Sequence, residues 1–320
     1  MINAEIRKLH LIFMLLAGFT MLRAQPVKDH GKLSVKGIFL TDEYNNTVML
    51  QGISYGWHNW WPRFYNKESV KWLRDDWNCT VVRAAMGVEP RRGYLDSPDW
   101  SREKIEAVVD GAIASEVYVI IDWHSHGIQL EAAKRFFEEM ATKYGKYPHV
   151  MYEIFNEPVK DSWELIKNYS VEVIKAIRKI DPDNIILIGS PHWDQDIHIA
   201  ADDPIQGFSN LMYTLHFYAG THGQFLRDRG DYALQKGIPL FVTESAGMSA
   251  NGDGPINYEE WNKWINWMKK NQIGWISWSI ADKNESCSML VPAASATGNW
   301  NNKDLKESGI KTRELLRNIK

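Results

Sequence analysis

The feature that most constrains this chain is the alternation of two patterns along most of its length. Eight apolar runs of strand length fall at 48–53, 80–85, 117–122, 150–155, 185–188, 211–217, 239–243 and 274–278. Helical patterns lie between them, as at 68–77, 102–114, 131–144, 163–180, 224–236 and 258–271, and a last one at 304–318 follows the eighth run. Most of the runs are continuously apolar rather than alternating, as expected of parallel strands covered on both faces. Eight strands and their helices in roughly 250 residues predict an α/β chain folded as a single (β/α)8 TIM barrel. A doubly wound open sheet would carry a glycine-rich phosphate turn early on, and "GISYGWHNWW" after the first run contains no G-x-G-x-x-G. Ahead of the barrel, "LSVKGIFLTDEYNNTVML" predicts a β-hairpin turning at Asn45 and Asn46 and closing the barrel bottom. No Pro/Ser-rich linker marks a second domain, so 25–320 reads as one domain.

The N-terminus follows another rule. Arg7 and Lys8 precede an apolar run at 9–22, and Ala24 supplies a small residue before Gln25, which predicts a signal peptide over 1–24 and a secreted product, extracellular or periplasmic. Glu5 and the large Leu22 fit that pattern less well and keep an uncleaved anchor open as the alternative. No other stretch approaches the ~18 apolar residues of a spanning helix, so no membrane contact is expected after cleavage. A net charge of -3 without long charged blocks offers no footprint for nucleic acid, and a neutral ligand suits it better. The expected state is a monomer with two free thiols. Cys79 opens the second strand at the barrel bottom, whereas Cys287 lies beyond the eighth at the top; a strand of six residues rises about 20 Å, too far for a disulfide.

Active sites of such barrels are built at the C-terminal strand ends. The residues closing the runs there are Arg83, Asp122 with His124 and His126, Asn156 with Glu157, His192 with Trp193, His216 with Tyr218, Glu244 and Trp278. Any one alone is more simply a satisfied strand-end polar group, and Glu157 alone could be a carboxylate at a helix N-terminus. Together they predict one pocket. Glu157 after the fourth strand and Glu244 after the seventh would face each other across the mouth, an arrangement suited to glycoside hydrolysis by an acid and a nucleophile. A metal-dependent hydrolase is the competing reading, with His124 and His126 of "DWHSH" joined by His192 and His216. Among the 15 tryptophans, Trp261, Trp264, Trp267, Trp72 and Trp77 suit helix packing. Trp57, Trp60, Trp61, Trp193 and Trp278 fall at or past strand ends, where aromatic faces can cover sugar rings.

The motifs "VVRAAM", "VIIDWHSH", "YEIFNEP", "GSPHWDQDIHIAAD", "YTLHFYAG", "PLFVTESAG" and "WISWSIADKNESCSMLVP" together resemble glycoside hydrolase family 5, and within it the bacterial endo-β-1,4-glucanases. The resemblance covers about 30–318. It implies Glu157 as general acid/base, Glu244 as nucleophile, and a retaining double displacement on cellulose or a β-glucan chain or oligosaccharide, with no metal and no cofactor. Asn156 is then similar to the amide that holds the sugar 2-hydroxyl, Arg83 and Tyr218 to the partners of the nucleophile, and His124 and His216 to the pair orienting sugar and acid. The resemblance makes Trp278 and Trp193 platforms on the two sides of the cleaved bond, with Lys283 and Glu285 further contacts on the non-reducing side. Many relatives carry S-H-G after the first strand where this chain has "SYGWHNWWP", and Trp60 is the candidate platform there. A related β-glycanase (mannanase, lichenase or xyloglucanase) and a binding protein without catalysis stay open. Arg83 is expected to lower the pKa of Glu244, leaving Glu157, with no cation of its own, protonated nearer neutrality.

Overall fold

A computed structural model of the chain describes residues 25–318; the signal-peptide expectation at 1–24 lies outside them. Each of the eight apolar runs supplies a parallel barrel strand, the first only from Gln51 onward. After a short helix α1 (Pro26–His30) and a hairpin of β1 (Ser34–Lys36) and β2 (Phe39–Thr41), the barrel runs through β3 (Gln51–Tyr55), β4 (Val81–Gly87), β5 (Tyr118–His124), β6 (Val150–Glu153), β7 (Ile186–Ile188), β8 (Leu211–Tyr218), β9 (Leu240–Ala246) and β10 (Trp275–Ile280). Every strand pairs with the next, and β10 returns to β3 to close the ring. Between them stand α2 (Lys67–Trp77), α3 (Pro98–Ser115), α4 (Leu130–Tyr144), α5 (Trp163–Arg178), α6 (Pro191–Asp194), α7 (Ile197–Asp202), α8 (Gln224–Gln235) and α9 (Tyr258–Asn271), with α10 (Glu307–Asn318) last. The short pair α6–α7 fills the gap between β7 and β8, where no helical pattern was expected. No helix of the described residues is long and apolar enough to cross a membrane.

Six of the eight ladders extend past their apolar runs, because backbone pairing is indifferent to the side chain above it; β6 ends at Glu153 inside its run and β7 ends with its run. Thus β5 continues through Trp123 and His124, paired with Met86 and Gly87 of β4. The first run divides instead. Val48 donates its N–H to Leu40 at 2.9 Å and belongs to the hairpin, so β3 begins only at Gln51. The hairpin itself corrects the expected turn. Lys36 pairs with Phe39 across Gly37, whose φ of +60° suits glycine. Asn45 and Asn46 turn a second, single-bridge loop (Thr41 to Thr47), with the Asp42 carboxylate accepting from the N–H groups of Tyr44 and Asn46.

Side chains of the barrel strands divide by the period of two. Val82, Val119, Ile121, Trp123 and Tyr152 pack outward on the helices, in one cluster with Trp77, Trp261, Trp264 and Trp267. Their alternates Val81, Tyr118, Ile120, Met151, Leu187, Met212, Phe241 and Ile276 form an inner apolar layer, and Val27, Leu33, Leu40 and Val48 close it from below. The hairpin and α1 therefore plug the barrel bottom. Cys79 and Cys287 are both buried and both free.

Candidate active site

Two residues further up the same inward faces, the chemistry changes. Arg83 stands two above Val81, Asp122 two above Ile120, Glu153 two above Met151, and Thr214 and His216 above Met212. Arg83 is fully buried. Its Nε and Nη2 donate to the two oxygens of Glu153 at 2.7 and 3.1 Å, Nη1 donates to Glu244 Oε2 at 3.1 Å, and Nη2 donates to Asn156 Oδ1 at 2.6 Å. Asp122 Oδ2 lies 3.0 Å from Nη2. The guanidinium thus serves three carboxylates. Glu153, which the strand-end reasoning passed over, takes its bidentate face.

Glu244 accepts a second hydrogen bond, from the Tyr218 hydroxyl at 2.6 Å. Asn156 and Glu157 lie just beyond the β6 ladder but remain tied to β5, donating their N–H groups to the carbonyls of Trp123 and Ser125 at 3.1 and 3.2 Å. The Asn156 amide nitrogen is buried and bonded to no protein atom, which leaves two donors for a ligand. A carboxylate oxygen of Glu157 and one of Glu244 lie within 4.8 Å of each other.

Two imidazoles hold Glu157. His216 Nδ1 meets Oε1 at 2.9 Å, and His126 Nε2 lies 3.4 Å from Oε2. The other face of His216 meets the Thr243 hydroxyl at 2.8 Å, and that hydroxyl donates to Glu153 at 2.8 Å. With its one proton so committed, Thr243 accepts from Nε2–H, and with Glu157 held ionised Nδ1–H donates to it, which makes His216 an imidazolium. Burial disfavours that charge, but Asp194, Glu153 and Glu157 around it raise its pKa well above the usual value. His124 is the opposite case. It donates Nδ1–H to Asp122 at 2.6 Å, yet burial and the charge of Arg83 keep it neutral.

The carboxyl charges reverse the expectation. Burial pushes Glu157 up, but hydrogen bonds and charge from His126 and His216 outweigh it and hold the group at about 2. For Glu244, burial and then the nearby charge of Glu157 outweigh His216, Arg83 and Tyr218, and its pKa rises. The expectation failed because it gave Glu157 no cation and Glu244 a whole one. Glu157 has two, and Arg83 is divided among Glu153, Asp122 and Glu244.

Hollows open on both sides of Glu157. One, of about 250 Å³, is walled by Trp57, Trp60, Trp61, Trp278, Lys283 and Glu285; the other, of about 500 Å³, by Trp193, Gln195, His216, Thr221 and His222. Trp278 stacks on His124 with the rings 5.2 Å apart and 4° from parallel. Trp60 and Trp193 are 51% and 39% exposed, and Lys283 pairs with Glu285. All twelve candidate residues are therefore brought to this mouth, whereas His192 turns away from both hollows, 3.8 Å from Asp196. Trp193 is displayed by three successive residues with positive φ, His192, Trp193 and Asp194, a conformation costly for non-glycine residues. Buried Asp194 fastens that turn, accepting from the Ser190 N–H at 2.6 Å and from the Thr214 hydroxyl. Among the described residues, the clustered potential metal ligands are Glu153–Asp194–His216 and Glu157–His216–Glu244. Neither trio includes His124, His126 or His192.

Comparison with known proteins agrees with this geometry. Residues 41–284 match the family described as Cellulase (glycosyl hydrolase family 5). An endoglucanase of Clostridium saccharobutylicum is 45% identical over 88% of this chain and 64% of its own length. A solved structure from Cytophaga hutchinsonii superposes with a TM-score of 0.90 at 49% identity, covering 91% of this chain and 96% of that one. The catalytic domain of a Thermobifida fusca endoglucanase in complex with cellotetraose gives 0.86 at 32%, covering 92% and 100%. The chain spans somewhat under two thirds of the length of the curated relatives it matches first. With the family pattern matched over most of its length and the barrel fold shared, the chain belongs to glycosyl hydrolase family 5.

Proposed function

We propose that the protein is a secreted endo-β-1,4-glucanase that cleaves internal bonds of cellulose or a related β-glucan with retention of configuration. The observation that carries this is the pair of carboxylates, Glu157 and Glu244, with oxygens within 4.8 Å in a mouth open on both sides. Retaining glycosidases place their carboxyls about 5–5.5 Å apart, and inverting ones need ~6.5–9.5 Å to admit a water between them. In this reading Glu244, aimed by Arg83 and Tyr218, attacks the anomeric carbon while Glu157 protonates the leaving oxygen. Glu157 then takes a proton from the water that releases the glycosyl enzyme. The free amide of Asn156 holds the 2-hydroxyl, and His124 and His216 orient sugar and acid. Trp278 and Trp60 support sugars on the non-reducing side with Lys283 and Glu285, and Trp193 does so on the leaving-group side. A cleft open at both ends suits a polymer gripped in mid-chain, and relatives named endoglucanase, one of them bound to cellotetraose, favour β-1,4-glucan.

The test is proton NMR of the first product formed from cellotetraose or mixed-linkage β-glucan. A β-anomer that later mutarotates supports the reading; an initial α-anomer overturns retention. Activity that survives EDTA removes the metal-dependent alternative, and the absence of reducing-sugar release from any β-glucan, mannan or xyloglucan would leave a binding protein. Recovery of the mature chain beginning at Gln25 from medium or periplasm tests secretion, and sedimentation tests the monomer.

A further inference from the structure

The two imidazoles that hold Glu157 differ in what stands behind them. His216 is sealed in, with Asp194 Oδ2 and Glu153 Oε1 at 3.4 and 3.8 Å from its Nε2. Its charge is compensated by groups that never leave it. His126 meets the other oxygen of Glu157 with 44% of its side chain in solvent, its ring edge-on to Trp57 at 5.6 Å and 6.3 Å from the His124 ring. Besides Glu157, the carboxylates acting on it are the more distant Glu89 and Glu244. Glu157 itself also faces His216, Glu244, Asp194, Tyr218 and His222, the last kept neutral by burial. His126 lines both hollows, so a sugar on either side of the cleaved bond covers it.

A general acid must hold a proton when substrate arrives, and in the open site Glu157 is ionised. We propose that His126 is a positioning residue that stores that proton. In the open cleft it is an imidazolium paired with the Glu157 carboxylate, and when sugar displaces water the proton passes from Nε2 to Oε2. One N–H bond breaks and one O–H bond forms, and a charged pair becomes a neutral one. Loss of water favours this direction, because desolvation penalises both charges. His216 does not follow, since burial by substrate changes nothing on its Asp194 side. Glu157 gives the proton to the leaving oxygen, regains one from the attacking water, and returns it to His126 as products leave. This proposal rests on Glu157 being the acid/base.

A pair sharing one proton keeps it to higher pH than the carboxyl would alone, by roughly one unit where the ion-paired form predominates about tenfold. The pH profile of kcat/KM reports the free enzyme. In His126→Gln the midpoint of its alkaline limb on cellotetraose should therefore fall by roughly one unit. The leaving group of 2,4-dinitrophenyl β-cellobioside departs without a proton. The ratio of kcat/KM on cellotetraose to that on this glycoside should accordingly drop about tenfold at alkaline pH. An unmoved midpoint, or equal losses on both substrates, overturns the proposal. His126→Lys supplies a cation that keeps its proton, and should lower cellotetraose turnover across the profile; a rate at or above that of the parent overturns it equally. Glu157→Ala separates failure of the underlying reading. It should spare the dinitrophenyl glycoside relative to cellotetraose by about a hundredfold or more, and equal losses there sink the acid/base assignment itself.

Discussion

The two ends of the barrel are made by the same eight strands and obey different rules. At the bottom, Val81, Tyr118, Ile120, Met151, Phe241 and Ile276 meet Val27, Leu33, Leu40 and Val48 of the plug through volume and apolarity, with one polar tie, from the Tyr118 hydroxyl to the Gly31 carbonyl at 2.6 Å. Two residues higher, one guanidinium is surrounded by Asp122, Glu153 and Glu244, all buried. The bottom gains free energy with every ångström of apolar area covered. The mouth gives some back, because desolvating charges costs several kcal/mol per ion before pairing recovers part of it. What it obtains is position: Glu244 is held between Arg83 and Tyr218, and Glu157 between two imidazoles.

If this division is right, substitutions should sort by height in the barrel. The largest expected effect is Glu244→Ala, which removes the proposed nucleophile and should cost about 10⁴-fold or more in kcat, with little change in the urea midpoint because a buried, charge-crowded carboxylate is lost. Added azide should restore part of the activity as a glycosyl azide; turnover within tenfold of the parent would end the nucleophile assignment. Arg83→Met should cost both function and about 3–5 kcal/mol of stability, since it strands three buried carboxylates. Without the guanidinium those carboxyls titrate at raised pKa in the folded chain. Their stabilising contribution is then present at low pH and lost as pH rises. The gap between variant and parent should widen from acid to neutral pH, and a gap that narrows would contradict this account.

At the other end, Leu40→Ala leaves a hole in the plug about as far from the chemistry as the molecule allows. It should lower stability by roughly 2–4 kcal/mol and leave kcat/KM on cellotetraose within about twofold when assayed well below the transition. A large fall in kcat/KM on the folded variant would mean that bottom and mouth are coupled, and the comparison would fail.

How far this was legible follows the same boundary. The eight strands could be read because buried parallel strands are apolar throughout. The catalytic carboxylates could be read because they interrupt that apolarity just where it ends. Glu153 escaped notice for being inside the run, yet counting two from Met151 puts it on the inner face beside Asp122, and a buried glutamate there requires a partner such as Arg83. The charge states were not legible. They depend on which histidine lies against which oxygen, and His126 and Glu157 are 31 positions apart in sequence. Nor was the turn at His192–Asp194, since three consecutive non-glycine residues with positive φ have no sequence signal. The hairpin was misplaced because Asn45-Asn46 is the stronger turn signal on paper, whereas β1 and β2 pair with each other across Gly37, whose φ of +60° suits that turn.

That turn supports the smallest of these effects and the finest test of the comparison. Trp193 is exposed, its N–H fixed to the Pro158 carbonyl at 3.0 Å and its neighbour Asp194 fastened beneath it. Trp193→Ala therefore removes a ring that keeps 39% of its surface in solvent, and the urea midpoint should move far less than in Leu40→Ala. What it removes is an aromatic face for the sugar on the leaving-group side, about 1 kcal/mol of contact, or roughly fivefold in kcat/KM on cellotetraose. The dinitrophenyl cellobioside places only its aglycone on that side and should respond differently, so the ratio of the two substrates reads the platform directly. A loss of stability instead would assign Trp193 to the structure, and would show that the mouth, like the bottom, had been built for packing.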